Sequence, residues 1–198
     1  MTSPFMRALR IAGGLFFATL AGNARAADYD IDLSHAFIQF RISHLGYSTL
    51  IGRFNQFEGK FVWEKDQPQH AKVEVRIDMA SIDSNWAERD KHLRGDEYLD
   101  VKRYPTTTFK STKYEGDAVS GKLHGNLSLH GVTKPVVLDM KSIGEGPDPW
   151  GGYRAGFEAT TTLRLRDFGM DFPQLTPAAE TMELQLFVEG LLQSKKPL

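Results

Sequence analysis

The sequence predicts an all-β domain of antiparallel strands, either a barrel or a sandwich. Apolar and polar side chains alternate with a period of two in segment after segment, as expected for strands with one buried and one solvated face. Turn-forming residues separate these segments at Glu115-Gly116-Asp117, His130-Gly131 and 147–152. The count comes to about eight strands, at a spacing typical of antiparallel barrels and sandwiches.

The first 26 residues predict export. Arg7 and Arg10 precede an apolar run and a small-residue triplet, Ala24-Arg25-Ala26, which is the order of a secretory signal peptide. The apolar run is shorter than the ~20 residues that cross a bilayer, so a cleaved signal is favoured over a retained anchor. We expect residues 1–26 to be removed and residues 27–198 to form one domain.

Composition excludes several classes of protein. The chain has no cysteine, so disulfides and thiolate chemistry play no part in it. Its 24 Lys plus Arg and 25 Asp plus Glu are interspersed along the sequence. Such a surface argues against binding the phosphate backbone of a nucleic acid.

The individual strands follow from the parity of the apolar residues. In 72–79, Val73, Val75 and Ile77 alternate with charged residues, so one face is expected to be buried. Similar alternation predicts strands over 36–42, 57–64, 122–130, 157–166 and 182–189. Weaker strands are predicted over 107–114 and 135–141.

One stretch, 84–95, breaks the strand rhythm and predicts a short helix. Asn85 can cap the first free amides, Glu88 three residues later completes a capping box, and Gly95 suits the end of the helix. One helix face is expected to lie over a barrel end like a plug. This face carries Trp86, Asp90 and Leu93.

A closed sheet of about eight strands either fills with its own side chains or holds one small ligand, and parity alone does not decide between the two. Small inward residues favour a cavity, because they would leave space beside large rings; they are Gly59, Gly125, Ala159 and Thr161. The inward residues expected to form the core or line a lumen are Ile38, Phe40, Phe57, Phe61, Trp63, Val75, Ile77, Leu127, Phe157, Leu163, Leu184 and Leu186.

Catalytic and metal sites have little support in the sequence. No His-x-x-x-His or His-Glu-x-x-His pair lies on the predicted helix. His124 and His130 would lie roughly 20 Å apart on the outer face of a strand, so solvated or capping roles are expected. Asp90 and Arg94 are expected to form an ion pair on a solvated helix face. No Gly-x-Ser-x-Gly elbow is present, and we expect no catalytic residue and no metal.

An ordered set of motifs resembles the YceI-like family and comes close to its founding member. Each motif is weak by itself, but the set runs in the family's order from Tyr29 to about Gly190. It comprises His35-Ala36-Phe37, Ile42-Ser43-His44-Leu45-Gly46-Tyr47, Gly52-Arg53-Phe54, 87–94, Tyr104-Pro105, 130–136 and 148–157.

This resemblance implies an extended antiparallel lipocalin-like β-barrel with one short α-helix, closed at one end. Its apolar lumen is expected to bind a polyisoprenoid lipid of the quinone or prenyl phosphate type, with no cofactor required. Family members are similar in being exported, so we expect the periplasm. Candidates for the headgroup site or the mouth are His35, His44 and Trp150.

The resemblance also bears on partners. Some members are thought to work beside membrane-bound b-type cytochromes, so transient contact with a membrane or such a cytochrome is expected. An exposed sheet edge could pair two copies as a homodimer.

A second hypothesis for the function is a periplasmic enzyme or redox partner that uses a bound quinone as reactant. An enzyme would show a polar cleft with a nucleophile and a base, whereas a carrier would show an elongated apolar cavity.

Overall fold

The computed structural model describes residues 27–172 and 179–193, so the predicted signal peptide lies outside the described residues. The strands are β1 (Ala27–Ile31), β2 (Phe37–His44), β3 (Ser48–Phe54), β4 (Phe57–Trp63), β5 (Lys72–Asp78), β6 (Ile82–Asp83), β7 (Thr106–Gly116), β8 (Ser120–Leu129), β9 (Val132–Pro147), β10 (Tyr153–Arg164) and β11 (Thr181–Leu192). A helix, α1 (Ala87–Leu93), connects β6 to β7. In these two ranges no helix is long and apolar enough to cross a membrane.

Eight of the strands close into an antiparallel barrel. They pair in the order β1, β4, β5, β7, β8, β9, β10 and β11, and β11 pairs back to β1. The prediction of a lipocalin-like antiparallel barrel with one short helix is confirmed. The three predicted turns are also found, between β7 and β8, β8 and β9, and β9 and β10.

The other three strands extend the sheet beyond the ring. β1 and β2 follow one another along the same edge of β11, separated by the loop 32–36. β3 pairs with β2, but only its last two residues, Arg53 and Phe54, pair with β6. The edge of 48–52 therefore has no partner strand among the described residues, and pairing of two copies there stays a prediction.

The sequence did not predict strand β3, because the hydrophobicity of its residues does not match their burial. Gly52 is buried while the neighbouring Ile51 is 56% exposed. The ring of Phe40 on β2 lies over Gly52, and a Cβ atom at position 52 would overlap it. β3 therefore shows no alternation of apolar and polar residues. β1 and the two-residue β6 were also missed.

Helix α1 is shorter than predicted and begins differently. Its N-cap is Trp86, which makes no side-chain capping bond, so the predicted capping box at Asn85 is wrong. Asn85 instead adopts a left-handed conformation with φ 67°, which asparagine tolerates better than most residues. Trp86 is 61% exposed, so it does not lie on an inward face.

Asp90 on α1 is buried rather than solvated. Its Oδ1 accepts hydrogen bonds from the backbone N–H and the hydroxyl of Ser84. Arg94 does not pair with it but donates to the backbone carbonyls of Ala80 and Ile82. The expected exposed ion pair is therefore wrong, because both side chains fasten the helix to the segment before it.

The two ends of the barrel differ. At one end, which we call the aromatic end, β4, β7, β9 and β11 finish and aromatic rings pack together. At the opposite end, which we call the helix end, β7 and β9 begin, and α1 with the segment 94–105 leads from β6 to β7. Tyr104 of this segment packs on His130 in the β8–β9 turn, and Tyr98 packs on Phe172 after β10.

Candidate functional site

The barrel encloses an apolar cavity of about 120 Å³. Every strand of the ring contributes to its wall, as does β2. The lining residues are Ile31, Ile38, Phe57, Phe61, Val62, Trp63, Ala71, Val73, Val75, Ile77, Phe109, Leu123, Leu127, Val136, Leu138, Met140, Phe157, Ala159, Thr161, Leu184, Leu186 and Val188. In this set only Thr161 and the indole N–H of Trp63 offer a polar side-chain atom.

Ten of the twelve predicted lumen residues line this cavity: Ile38, Phe57, Phe61, Trp63, Val75, Ile77, Leu127, Phe157, Leu184 and Leu186. The remaining two, Phe40 and Leu163, are buried but do not line it. Binding of a ligand by any of the twelve stays a prediction. Of the twelve other lining residues, four lie on the weakly predicted strands β7 and β9, where Phe109 and Leu138 follow the same inward parity.

The inward glycines were expected to leave space beside large rings, but they do not. At Gly125 and Gly190, a Cβ atom would overlap the rings of Phe109 and Phe61, so each glycine allows a ring to lie flat against the sheet. At Gly59, a Cβ would come within 2.7 Å of the Glu74 carbonyl oxygen. These glycines do not leave free space, because neighbouring groups already occupy it.

The aromatic end is filled by contacting rings. Phe61 stacks on Tyr29 with ring centroids 4.8 Å apart, and Phe157 meets Trp63 edge to face at 4.9 Å. Trp63 also meets Tyr114 edge to face at 5.9 Å. Such geometry is favourable for aromatic pairs, and it closes this end of the cavity with side chains.

Two polar atoms of these rings have hydrogen-bond partners. Trp63 Nε1 donates to Glu145 Oε2 at 3.1 Å, and the Tyr114 hydroxyl donates to the Asp117 carbonyl at 2.8 Å. Burial raises the pKa of Tyr29 to about 12, with a further contribution from the Glu145 carboxylate. The indole N–H of Trp63 and the hydroxyl of Tyr114 are therefore already paired and not free to bind a ligand.

The helix end carries polar atoms without partners. Within the described residues, two buried side-chain atoms make no hydrogen bond: Thr107 Oγ1 and His130 Nε2. His130 was expected to have a solvated or capping role on the outer face of a strand, but it lies in the β8–β9 turn with φ 51° and its ring centroid is 4.2 Å from that of Tyr104. A solvated position on a strand is therefore wrong for His130, because the turn redirects this side chain.

Only two of the three predicted mouth residues come together. His35 and Trp150 line a groove of about 480 Å³ on the outer surface, on the side of the aromatic end. His44 lies at the exposed tip of the β2–β3 hairpin, on the side of the helix end. None of the three lines the cavity, so their predicted role at a headgroup receives no geometric support.

Arg154 organises the outer groove. Its guanidinium donates to Asp32 at 2.6 Å, to Asp148 at 2.9 Å and to Glu189. Hydrogen bonds from the Ser34 hydroxyl and from Arg154 hold the pKa of Asp32 well below its usual range. The same carboxylates, Asp32 foremost, raise the pKa of Arg154.

The groove also contains the one group of metal-ligand type found in the described ranges. Asp32, His35 and Glu189 bring ligand atoms within 4.8 Å of one another. Arg154 donates to both carboxylates, so its guanidinium stands where a cation would. The cluster is an ion-pair network that ties the 32–36 loop to β10 and β11.

Comparison with known proteins identifies one family. The model of the YceI-like domain matches residues 29–190. A UPF0312 protein from Pseudomonas aeruginosa is 51% identical over 195 residues, which cover 98% of this chain and 100% of the relative.

Solved structures agree with this assignment. The YceI protein of Campylobacter jejuni is 29% identical with a TM-score of 0.69, covering 77% of this chain and 91% of that chain. A polyisoprenoid-binding domain from Saccharophagus degradans is 16% identical with a TM-score of 0.62, covering 83% and 98%, and so shows a shared fold. On the extent and identity of these matches, the chain belongs to the YceI-like family.

Proposed function

We propose that this protein is a non-catalytic periplasmic carrier that holds the chain of a polyisoprenoid lipid inside its barrel. The observation that supports this most is the apolar wall of the cavity, to which all eight ring strands contribute. Enclosed apolar cavities with few polar groups are typical ligand sites. The likeness in fold to a polyisoprenoid-binding domain favours the same ligand class.

The energetics favour exchange over permanent capture. Removing a forty-carbon tail from water at ~0.8 kcal/mol per methylene corresponds to roughly 30 kcal/mol, which exceeds the limit of non-covalent affinity. The relevant competitor is the bilayer, where the tail is already out of water. Transfer between the barrel and a membrane is therefore nearly balanced, as a carrier requires.

The size of the cavity implies that the barrel opens to load its ligand. A volume of about 120 Å³ is below the roughly 300–1,000 Å³ of drug-sized ligand pockets. Loading must displace lining side chains, and the unbranched Met140 is suited to this because it repacks easily. The filled aromatic end makes the helix end the side from which a tail would enter.

Export is the second part of the proposal. It is supported by the positive residues, apolar run and Ala24-Arg25-Ala26 triplet at the start of the chain. Cleavage after Ala26 would give a mature protein that begins at Ala27. Fractionation of the native cells followed by N-terminal sequencing tests this, and a cytoplasmic protein that retains Met1 would contradict it.

A lumen-filling variant tests the carrier role. Ala159 lines the cavity, whereas its neighbour Thr160 is exposed, so Ala159→Phe and Thr160→Phe place the same ring inside and outside the barrel. Delipidated wild type and Thr160→Phe should extract a prenylated quinone from vesicles, and a folded Ala159→Phe should not. Equal uptake by Ala159→Phe, or no uptake by the wild type, would contradict the proposal.

A further inference from the structure

Thr107 is a buried hydroxyl that the fold itself does not use. The residue is 4% exposed, and its Oγ1 makes no hydrogen bond. Buried polar groups are almost always paired, and an unpaired one costs stability. Such an atom calls for an explanation, and an oxygen of a bound group would supply one.

The position of Thr107 in the sheet directs its side chain to the interior of the barrel. Thr107 pairs directly with Ile77 on β5, and Ile77 lines the cavity. Directly opposite residues in an antiparallel pair project to the same face. Phe109, two residues farther along β7, lines the cavity as well. Thr107 thus forms the next interior layer beyond the cavity, toward the helix end.

Two other polar groups near the lumen are already engaged. Ser111 on the same strand accepts a hydrogen bond from the Val73 backbone N–H at 2.8 Å. At the aromatic end, the indole N–H of Trp63 is taken by Glu145. The indole N–H is thus paired at the aromatic end, while the Thr107 hydroxyl stays available at the helix end.

We propose that the Thr107 hydroxyl donates a hydrogen bond to an uncharged oxygen of the lipid headgroup, with the isoprenoid tail directed toward the aromatic end. This inference rests on the proposed lipid-binding function. It selects a headgroup with a carbonyl or hydroxyl oxygen, the chemistry of a prenylated quinone. His130 Nε2, the other buried atom without a partner, lies at the same end of the barrel.

The charges around this end disfavour a prenyl phosphate. None of the cavity-lining residues is a cation, and burying an unpaired phosphate charge is far more costly than burying a neutral oxygen. Arg103 lies over the Tyr104 ring at 5.2 Å, and it is exposed. Its charge therefore remains in solvent.

The test measures affinity for three probes that share an isoprenoid tail. They are a benzoquinone with an octaprenyl tail, octaprenyl phosphate, and squalene, which has no oxygen. The variants are Thr107→Val, which exchanges the hydroxyl for a methyl group, Thr107→Ser, which keeps it, and Thr108→Val. Thr108 is exposed on the same strand and serves as the matched control. Melting temperatures verify that each variant folds.

We expect Thr107→Val to weaken quinone binding by about tenfold, since a buried acceptor loses its donor. Squalene binding should not change, and Thr107→Ser and Thr108→Val should bind the quinone as the wild type does. Octaprenyl phosphate should bind the wild type more weakly than the quinone.

Three results would overturn the inference while leaving lipid binding intact. They are unchanged quinone affinity in Thr107→Val, an equal loss for quinone and squalene, and tighter binding of octaprenyl phosphate than of quinone. Failure of the wild type to bind any of the three probes would instead overturn the proposed function.

Discussion

At the scale of single residues, ion pairs of Arg154 attach the loop 32–36 to the barrel. Asp32 lies in the loop between β1 and β2, and Arg154 on β10 links it to Glu189 and Asp148. The side chains of Asp32 and Arg154 are 12% and 21% exposed, so solvent screens this network less than it screens a surface pair. The network is therefore expected to contribute to stability in a pH-dependent way.

The pKa of Asp32 is lowered in the folded protein, so its contribution is present above the unfolded pKa of about 3.9 and is lost as the pH falls through the folded value. Asp32→Asn should therefore lower the melting temperature at pH 7, and the difference from wild type should shrink at pH 3. Asp139→Asn, at an exposed pair with Lys122, should have little effect at either pH. If Asp32→Asn lowered the melting temperature equally at pH 7 and pH 3, the charge of Asp32 would not be the cause of the destabilisation.

Gly190 shapes the lumen because it has no side chain. A Cβ there would overlap the Phe61 ring, so Gly190→Ala should push that ring toward the cavity. Overpacking of this kind costs about 1–3 kcal/mol, and it should also reduce lipid uptake. Gly144→Ala is the control, because nothing lies within 4 Å of its added Cβ. Chemical denaturation and quinone uptake would measure both effects, and wild-type behaviour of Gly190→Ala would refute this role.

At the scale of elements, the structure fastens α1 by buried hydrogen bonds rather than by an N-cap. Asp90→Ala would leave the N–H and hydroxyl of Ser84 without their acceptor, at a cost of about 1–3 kcal/mol for the unpaired buried group. We expect faster amide hydrogen exchange over 84–105 in this variant. Glu88→Ala, at an exposed position on the same helix, should exchange as the wild type does. Equal exchange in both variants would show that Asp90 does not hold the helix.

The elements also show how far sequence reasoning reaches. Strands such as β5 were predictable because Val73, Val75 and Ile77 alternate with charged residues. β3 was not, since Phe40 covers Gly52 from the neighbouring strand and only the tertiary fold reveals that burial. The same limit applies to the site. Inward parity located most of the cavity wall, but the unpaired hydroxyl of Thr107 depends on which hydrogen bonds the fold completes.

At the scale of the whole molecule, the barrel combines a closed aromatic end, an apolar lumen and a helix end with unpaired polar atoms. This arrangement matches the two parts of an isoprenoid lipid, a long apolar tail and a small polar head. It also explains why the chain manages without cysteine, since the core and the closed sheet supply the stability of the fold.

The central claim is that the lumen holds an isoprenoid lipid, and the most direct test is to identify what the protein carries. Wild type and Ala159→Phe would be purified from the native cells without detergent, extracted with organic solvent and analysed by mass spectrometry. The wild type should release an isoprenoid lipid, with a quinone headgroup, in a stoichiometric amount, and the folded lumen-filling variant should release none. A wild-type protein that yields no lipid, or a variant that yields the same lipid, would contradict the account.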